Sequence, residues 1–513
     1  MDTQSANTKR IAKNTLMLYV RMMFGMIVSL YTSRVVLAAL GVEDYGIYNV
    51  VGGFVAMFSL ISNSLSASTG RFLTFELGKG NKQRLKQIFS TSLTIHFVLA
   101  IAVLILAETI GIWFLNEKMT IPIHRLYAAN WVFQASVFAF MMGLFSVPYN
   151  ASIVSHEKMS VFACLGILDV TLRLFIILFV AYSPWQFDKL IVYALLLLVV
   201  SLIFQLINML YCSRNFEECK LQLAFHLDNW KEMSSFAGWN FIGSTAGLLK
   251  DQGVNVLLNL FMGPVVNAAR GIAVSVNTAV GSFVGNFMAA LNPQITKSYA
   301  AGEYSYMMSL VERGSRFSFY ILIMLALPIL FETEFVLTLW LKHFPPHTVN
   351  FVRLMLLLSL LDVLSNTLIN LQNATGKIRN YQIAVGSALM LNFPLSYLCL
   401  KMGCLPESVY VVALFVSLLC LMLRLLFLRR MVQLSVKQYL SNVCLNVLMV
   451  SLVAAFIPTL TYLQMEEGWV RFISMIFLCI ICSSLSIFFI GCSFSERKFI
   501  LDRVSIVKKR IYG

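Results

Sequence analysis

The chain has 513 residues, of which 59% are hydrophobic and 12% charged, and its formal net charge is +15. A soluble domain carries about 25% charged residues, so this composition excludes a water-exposed globular surface. The basic excess is not a nucleic-acid signal, because in a membrane chain Lys and Arg collect in the loops on one side.

The apolar runs are continuous rather than alternating, and a bilayer requires about 20 apolar residues per helical crossing. Helices satisfy their own backbone in lipid, so the expected fold is an all-α polytopic membrane protein with about fourteen transmembrane helices. The N-terminal segment MDTQSANTKRIAKNTLMLYV leads into an apolar run with no A-x-A-like cleavage site, so it reads as a tail and a retained first helix. In chain order, residues 1–213 are expected to form a six-helix bundle, with spans near 14–39, 45–73, 87–112, 126–149, 159–182 and 189–211. Residues 214–235 read as a cytoplasmic linker. A second six-helix bundle is expected over 236–430, with spans near 236–261, 265–292, 314–340, 349–372, 380–400 and 407–428. Residues 431–513 add two helices, near 439–463 and 469–492, and a basic tail. An even number of crossings puts both termini on one side. Most Lys and Arg fall there, among them Lys79, Lys82, Arg84, Lys86, Lys377, Arg379, Arg429, Arg430 and Lys508. The opposite loops hold only Lys118, Arg125, Lys189, Lys342, Lys401 and Arg471, so both termini are expected in the cytoplasm.

The two halves resemble each other. One offset maps Gly41 onto Gly263 and Gly80 onto Gly302, and a second pairs SHEKMSVF (155–162) with ATGKIRNY (374–381), placing Lys158 on Lys377. Two parallel six-helix repeats are a common transporter design, with the substrate site near mid-membrane at the repeat interface.

Segments SRVVLAALGVEDYGIYNVVGGF (33–54), GRFLTFELGKGN (70–81) and NATGK (373–377) resemble the polysaccharide-transport branch of the multidrug/oligosaccharidyl-lipid/polysaccharide (MOP) exporter superfamily. The architectural likeness covers the whole chain. It implies a MATE-like pair of bundles and alternating access, and its nearest members in style are O-antigen and capsule-unit flippases. The expected function is movement of an undecaprenyl-pyrophosphate-linked oligosaccharide across a bacterial inner membrane. The expected partners are that lipid-linked glycan, membrane lipids and a glycan polymerase. Two other readings stand beside it: a cation-coupled multidrug exporter of the same superfamily, and a membrane glycan polymerase or ligase. The short outer loops weigh against a polymerase or ligase.

Ionisable residues within spans cost a few kcal/mol each, about 2.5–3.5 on insertion scales, and usually face a cavity or partner. Arg21 and Arg34 lie on the first helix about 20 Å apart, and on different faces. Lys250 and Asp251 sit mid-helix, and Arg270 lies near the start of the next span. A cavity carrying Arg21, Arg34, Lys250 and Arg270 would hold a phosphorylated headgroup. Asn240, Gln252, Asn255, Asn267 and Asn277 supply amides for sugar hydroxyls or for helix–helix bonding. Asp251 and Asp362 are the candidates for proton or sodium coupling. Asp169 and Arg173, four apart, are expected to pair on one face, and Arg424 is expected to snorkel to the interface. His343 and His347 are separated by two prolines, which rules out a helical metal pair. The sequence offers no P-loop, no H-E-x-x-H motif and no catalytic constellation, so no cofactor, metal or enzyme activity is expected.

Overall fold

The computed structural model describes residues 2–498 and 501, apart from 57, 118, 120, 184–186 and 221–225. Lys118 and the tail residues Lys508, Lys509 and Arg510 therefore lie outside the described residues. Among the described residues every regular element is a helix. In chain order the principal ones are α1 (Asp2–Ala56), α2 (Ser59–Lys79), α3 (Lys82–Leu106), α4 (Leu126–Ser155), α5 (Met159–Tyr182) and α6 (Lys189–Asn215). They continue with α7 (Leu227–Met262), α8 (Pro264–Ala300), α9 (Tyr304–Phe331), α10 (Thr348–Asp362), α11 (Asn366–Thr375) and α12 (Arg379–Met390). The last are α13 (Asn392–Lys401), α14 (Ser408–Val432), α15 (Asn446–Gln464) and α16 (Trp469–Ser486). Pairs α10–α11 and α12–α13 each form one interrupted span, at 348–375 and 379–401.

Twelve described helical stretches are long and apolar enough to cross a membrane. Two further long helices fall short for chemical reasons: α2 is rich in Ser and carries Arg71 and Glu76, and α7 carries Lys231, Glu232, Lys250 and Asp251. The part of α1 beyond the Gly41 break together with α2 covers the expected span 45–73, and α7 covers 236–261, so about fourteen helices remains the count. The chain is a multi-pass, all-helical membrane protein.

It divides into two compact units. Unit 1 comprises Met1–Phe241 and Thr296–Glu303, and unit 2 comprises Ile242–Ile295 and Tyr304–Gly513. The division falls inside α7, and the last turn of α8 belongs to unit 1.

In unit 1, α4 supplies the centre of the core, where Ala129, Val132, Phe133 and Val137 are buried. Gly111 permits the close approach of Phe133, because a Cβ there would lie 2.6 Å from the ring. Arg125, just before α4, clamps two segments. Its guanidinium donates to Asp44 at 2.7 and 2.6 Å and to Asp188 at 2.5 and 3.1 Å. Asp188 also accepts from the Leu190 and Ile191 amides, capping α6. At the other end of the unit, Glu157 is 1% exposed and accepts from Arg10 and Lys297, each at 2.7 Å.

Unit 2 carries the last two helices. Arg471, on α16, donates to Glu332 at 2.8 and 3.1 Å, and both side chains are buried. Arg313 and Arg316, on α9, pair with Glu496 at 3.2 and 3.0 Å. The Tyr320 hydroxyl binds Asn446 and the Gly491 carbonyl. These polar bonds fasten α15 and α16 to the bundle, where apolar burial alone cannot, since lipid is as apolar as leucine.

The backbone repeats between the two halves of the sequence. Gly41 and Gly263 have φ of 80° and 81°, and Gly80 and Gly302 have 71° and 77°. At Gly41 ψ is 170°, a region open essentially to glycine only. Gly376 (φ 74°) has Glu157 (φ 58°) as its counterpart, so a charged residue occupies a left-handed turn in unit 1. That conformation costs about 1–2 kcal/mol at a residue whose side chain is fixed by two cations.

Candidate functional site

The ionisable residues expected inside the membrane form two groups in unit 2 and one in unit 1. In unit 2, α7, α10, α12 and α14 bring several together. The Asp362 carboxylate binds the Ser417 hydroxyl. Arg424 is 8% exposed and turns inward rather than snorkelling, donating to Tyr381 Oη and Ser365 Oγ, both at 3.1 Å. Cys420, one turn from Arg424, lies where the fields of Arg424, Lys250 and Asp362 meet. Lys250 itself is half-buried and has no hydrogen-bond or ion-pair partner among the described residues. Gly243 seats Gln382 against the same helix, since a Cβ there would lie 2.0 Å from its amide oxygen.

Arg270 forms a second group in unit 2. It donates to Asn255 Oδ1 at 3.3 Å and to the Asp251 carbonyl at 2.9 Å, so it reaches back across the Gly263 turn from α8 to α7. Tyr410, on α14, feels the charges of both Arg270 and Asp251, and its buried hydroxyl has no partner among the described residues. The Asp251 side chain is exposed. Asn277 accepts from Ser359 at 2.5 Å, whereas the buried Asn267 oxygen has no partner among the described residues.

In unit 1, Arg21 lies over the Phe162 ring at 4.4 Å, in a cation–π contact. It fits because Gly166 leaves a notch: a Cβ there would lie 2.1 Å from the guanidinium Nε. Asp169 acts on Arg21 through space and accepts from Arg173 Nε at 3.0 Å. One carboxylate therefore serves two guanidinium groups. The side chain of Arg34 lies outside the described residues. Arg71 was not singled out by its sequence context. It is ringed by Phe72, Phe75 and Phe236 at 4.5, 4.6 and 5.8 Å. The run GRFLTF held the signal, since two of those rings stand one and four residues after the arginine.

The structure thus brings Lys250, Asp362 and Arg424 to one region of unit 2, and Asp251 and Arg270 to another. Arg21 sits with Asp169 and Arg173 in unit 1.

The family model for polysaccharide biosynthesis proteins matches residues 8–334. No curated protein sequence matches. Solved structures share the fold at low identity. An outward-facing multidrug resistance MATE transporter of the MOP superfamily aligns with TM-score 0.68 and 13% identity, over 82% of this chain and 96% of that one. A MATE transporter in its straight conformation aligns with TM-score 0.70 and 12% identity, over 83% of this chain and 96% of that one. A MOP transporter from Pyrococcus furiosus, described as having a binding pocket of reversed polarity that suggests a different function, gives TM-score 0.68 and 13% identity over 82% and 96%. The chain belongs to the polysaccharide biosynthesis protein family, on the fold of the MATE transporters of the MOP superfamily.

Proposed function

We propose that this protein is a flippase that carries an undecaprenyl-pyrophosphate-linked oligosaccharide from the cytoplasmic to the periplasmic leaflet of a bacterial inner membrane by alternating access. The observation that carries the reading is Lys250: a cation in the middle of an intramembrane helix, half-buried and without an ion-pair or hydrogen-bond partner among the described residues, in a chain of the polysaccharide biosynthesis family. Such a charge is costly in lipid unless a cavity or an anionic ligand meets it. The pyrophosphate would be held by Lys250, with Arg270 of the same unit as a further cation, while the isoprenoid stays in the bilayer; Arg21 and Arg34 are proposed as cations that meet the substrate in unit 1. Asp362, beside the Ser417 hydroxyl, and Asp251 are the groups proposed to take the coupling proton or sodium. Membrane lipids surround the helices, and the exported units would pass to a glycan polymerase. The positive-inside asymmetry supports cytoplasmic termini.

The test deletes the gene and locates lipid-linked repeat units by leaflet-specific labelling. Accumulation in the cytoplasmic leaflet is expected, and the Lys250→Ala variant at normal protein level should reproduce it. Unpolymerised units in the outer leaflet would instead indicate a polymerase. Normal glycan export with lost resistance to organic cations would indicate a drug exporter.

A further inference from the structure

A cavity of about 350 Å³ opens in unit 1 at the end that carries the basic turn 79–86. That volume lies within the range of small-molecule sites, about 300–1,000 Å³. It is remote in sequence from Lys250 and its neighbours, and it plays no part in the function proposed above. Its wall is built from the starts of two helices and the segment after α6. Lys82 is the first residue of α3, Lys86 stands one turn further on, and Lys158 is the N-cap of α5. All three line the cavity, together with His156, Glu217 and Glu218.

The charges are not balanced locally. Glu218 is committed to His156, whose Nε2 lies 2.6 Å from its carboxylate. Burial alone would raise the Glu218 carboxyl. The histidine bond and a backbone amide outweigh burial and leave it lowered, so this carboxylate is charged and occupied. The imidazole is held in place by stacking on Phe216, with ring centroids 4.1 Å apart and planes 7° apart. Glu217 reaches Lys82 only at 3.6 Å, with both side chains largely exposed, an arrangement of about 0–1 kcal/mol. The Lys86 ammonium acts on Glu218 only through space, and neither Lys86 nor Lys158, both exposed, makes a side-chain hydrogen bond or close ion pair among the described residues.

Three lysines line the cavity, none of them held in a tight ion pair, so an anion entering it would be attracted by all three. We propose that this cavity binds a phosphate group, carried by an anionic phospholipid headgroup or by a soluble phosphate ester. Lys86 and Lys158 are its principal ligands, and Lys82 joins them when Glu217 lets go.

The test uses the full-length protein and three variants: K86Q, K158Q and E217Q. In one arm the protein is reconstituted in nanodiscs of phosphatidylcholine with and without phosphatidylglycerol, and retained lipids are identified by native mass spectrometry. In the other, inorganic phosphate is titrated calorimetrically into protein in an uncharged detergent. Retention of phosphatidylglycerol assigns a lipid headgroup, and saturable heat with phosphate assigns a soluble ester. In whichever arm responds, each lysine substitution should weaken binding about tenfold. E217Q should strengthen it, because it releases Lys82. Unchanged melting temperatures confirm that the variants fold. No selective binding in either arm, binding unaffected by both lysine substitutions, or weakening by E217Q would overturn the proposal.

Discussion

Replacing Arg471 with Met should destabilise the protein much more than replacing Glu332 with Gln, although the two residues form one pair. The guanidinium and carboxylate meet through two bonds, at 2.8 and 3.1 Å. Unit charges about 4 Å apart attract by about 4 kcal/mol at an effective dielectric constant of 20. Side-chain hydrogen bonds between membrane helices average only about 0.6 kcal/mol, because the unfolded chain in lipid also finds partners. The difference between the substitutions lies in what each leaves behind. Without Arg471, Glu332 is a carboxylate 1% exposed with its charge partner gone, a situation that costs about 3–5 kcal/mol. Without the Glu332 charge, Arg471 keeps Glu467 at 3.3 Å and the Tyr462 ring at 4.7 Å. It also lies two residues into its helix, close enough to the interface to snorkel. We therefore expect a loss of about 3 kcal/mol for Arg471→Met and about 1 kcal/mol for Glu332→Gln. The double variant R471M/E332L should recover most of the larger loss. Equilibrium unfolding of purified protein in mixed micelles gives all three values. Equal losses for the two single variants would refute the reasoning, as would an Arg471→Met loss no larger than that of an exposed pair, about 1 kcal/mol.

Gly41→Ala should cost about 1–3 kcal/mol, since φ 80° and ψ 170° are open essentially to glycine. Gly46→Ala, at a helical position with open space where a Cβ would go, should cost nothing when both variants are compared by thermal unfolding. The carboxyl of Glu407, in the loop before α14, would be raised by its burial, but bonds from Asn350 and His347 leave it lowered. Its contribution to stability is therefore complete above the unfolded carboxylate value of about 4.3 and is lost as pH falls through the lower folded value. The melting-temperature gap between wild type and Glu407→Gln should be constant near neutrality and close below that point; a gap that widens on acidification would contradict the assignment.

The spans were legible because a bilayer demands a long apolar run wherever the chain crosses. The repeat was legible because glycine marks the turns with positive φ. The two helices least obvious by hydropathy, α2 and α7, are crowded with polar and charged residues, Arg71 and Glu76 on one and Lys231, Glu232, Lys250 and Asp251 on the other, and chemistry and detectability conflict there. Side-chain direction was not legible. Arg424 reads as a snorkelling residue from its place near a helix end, but Tyr381 and Ser365, more than forty residues away, supply partners that draw it inward. Arg21 reads as a cavity cation, yet its position is set by a notch at Gly166 on another helix. The i,i+4 pair Asp169–Arg173 could be foreseen because both partners lie on one helix. The basic cavity could not be, because Lys82, Lys158 and Glu218 meet only once three separate turns have folded.

Unit 1 is not continuous in sequence: it includes Thr296–Glu303, which the ribosome makes after the first part of unit 2. During synthesis, Glu157 therefore has Arg10 available but must wait for Lys297. The amino-terminal half expressed alone therefore lacks a segment of its own unit. A truncation ending in the loop after α6 should be degraded faster than the full chain in a pulse–chase, and co-expressing the missing half should slow its loss only if that half includes the end of α8.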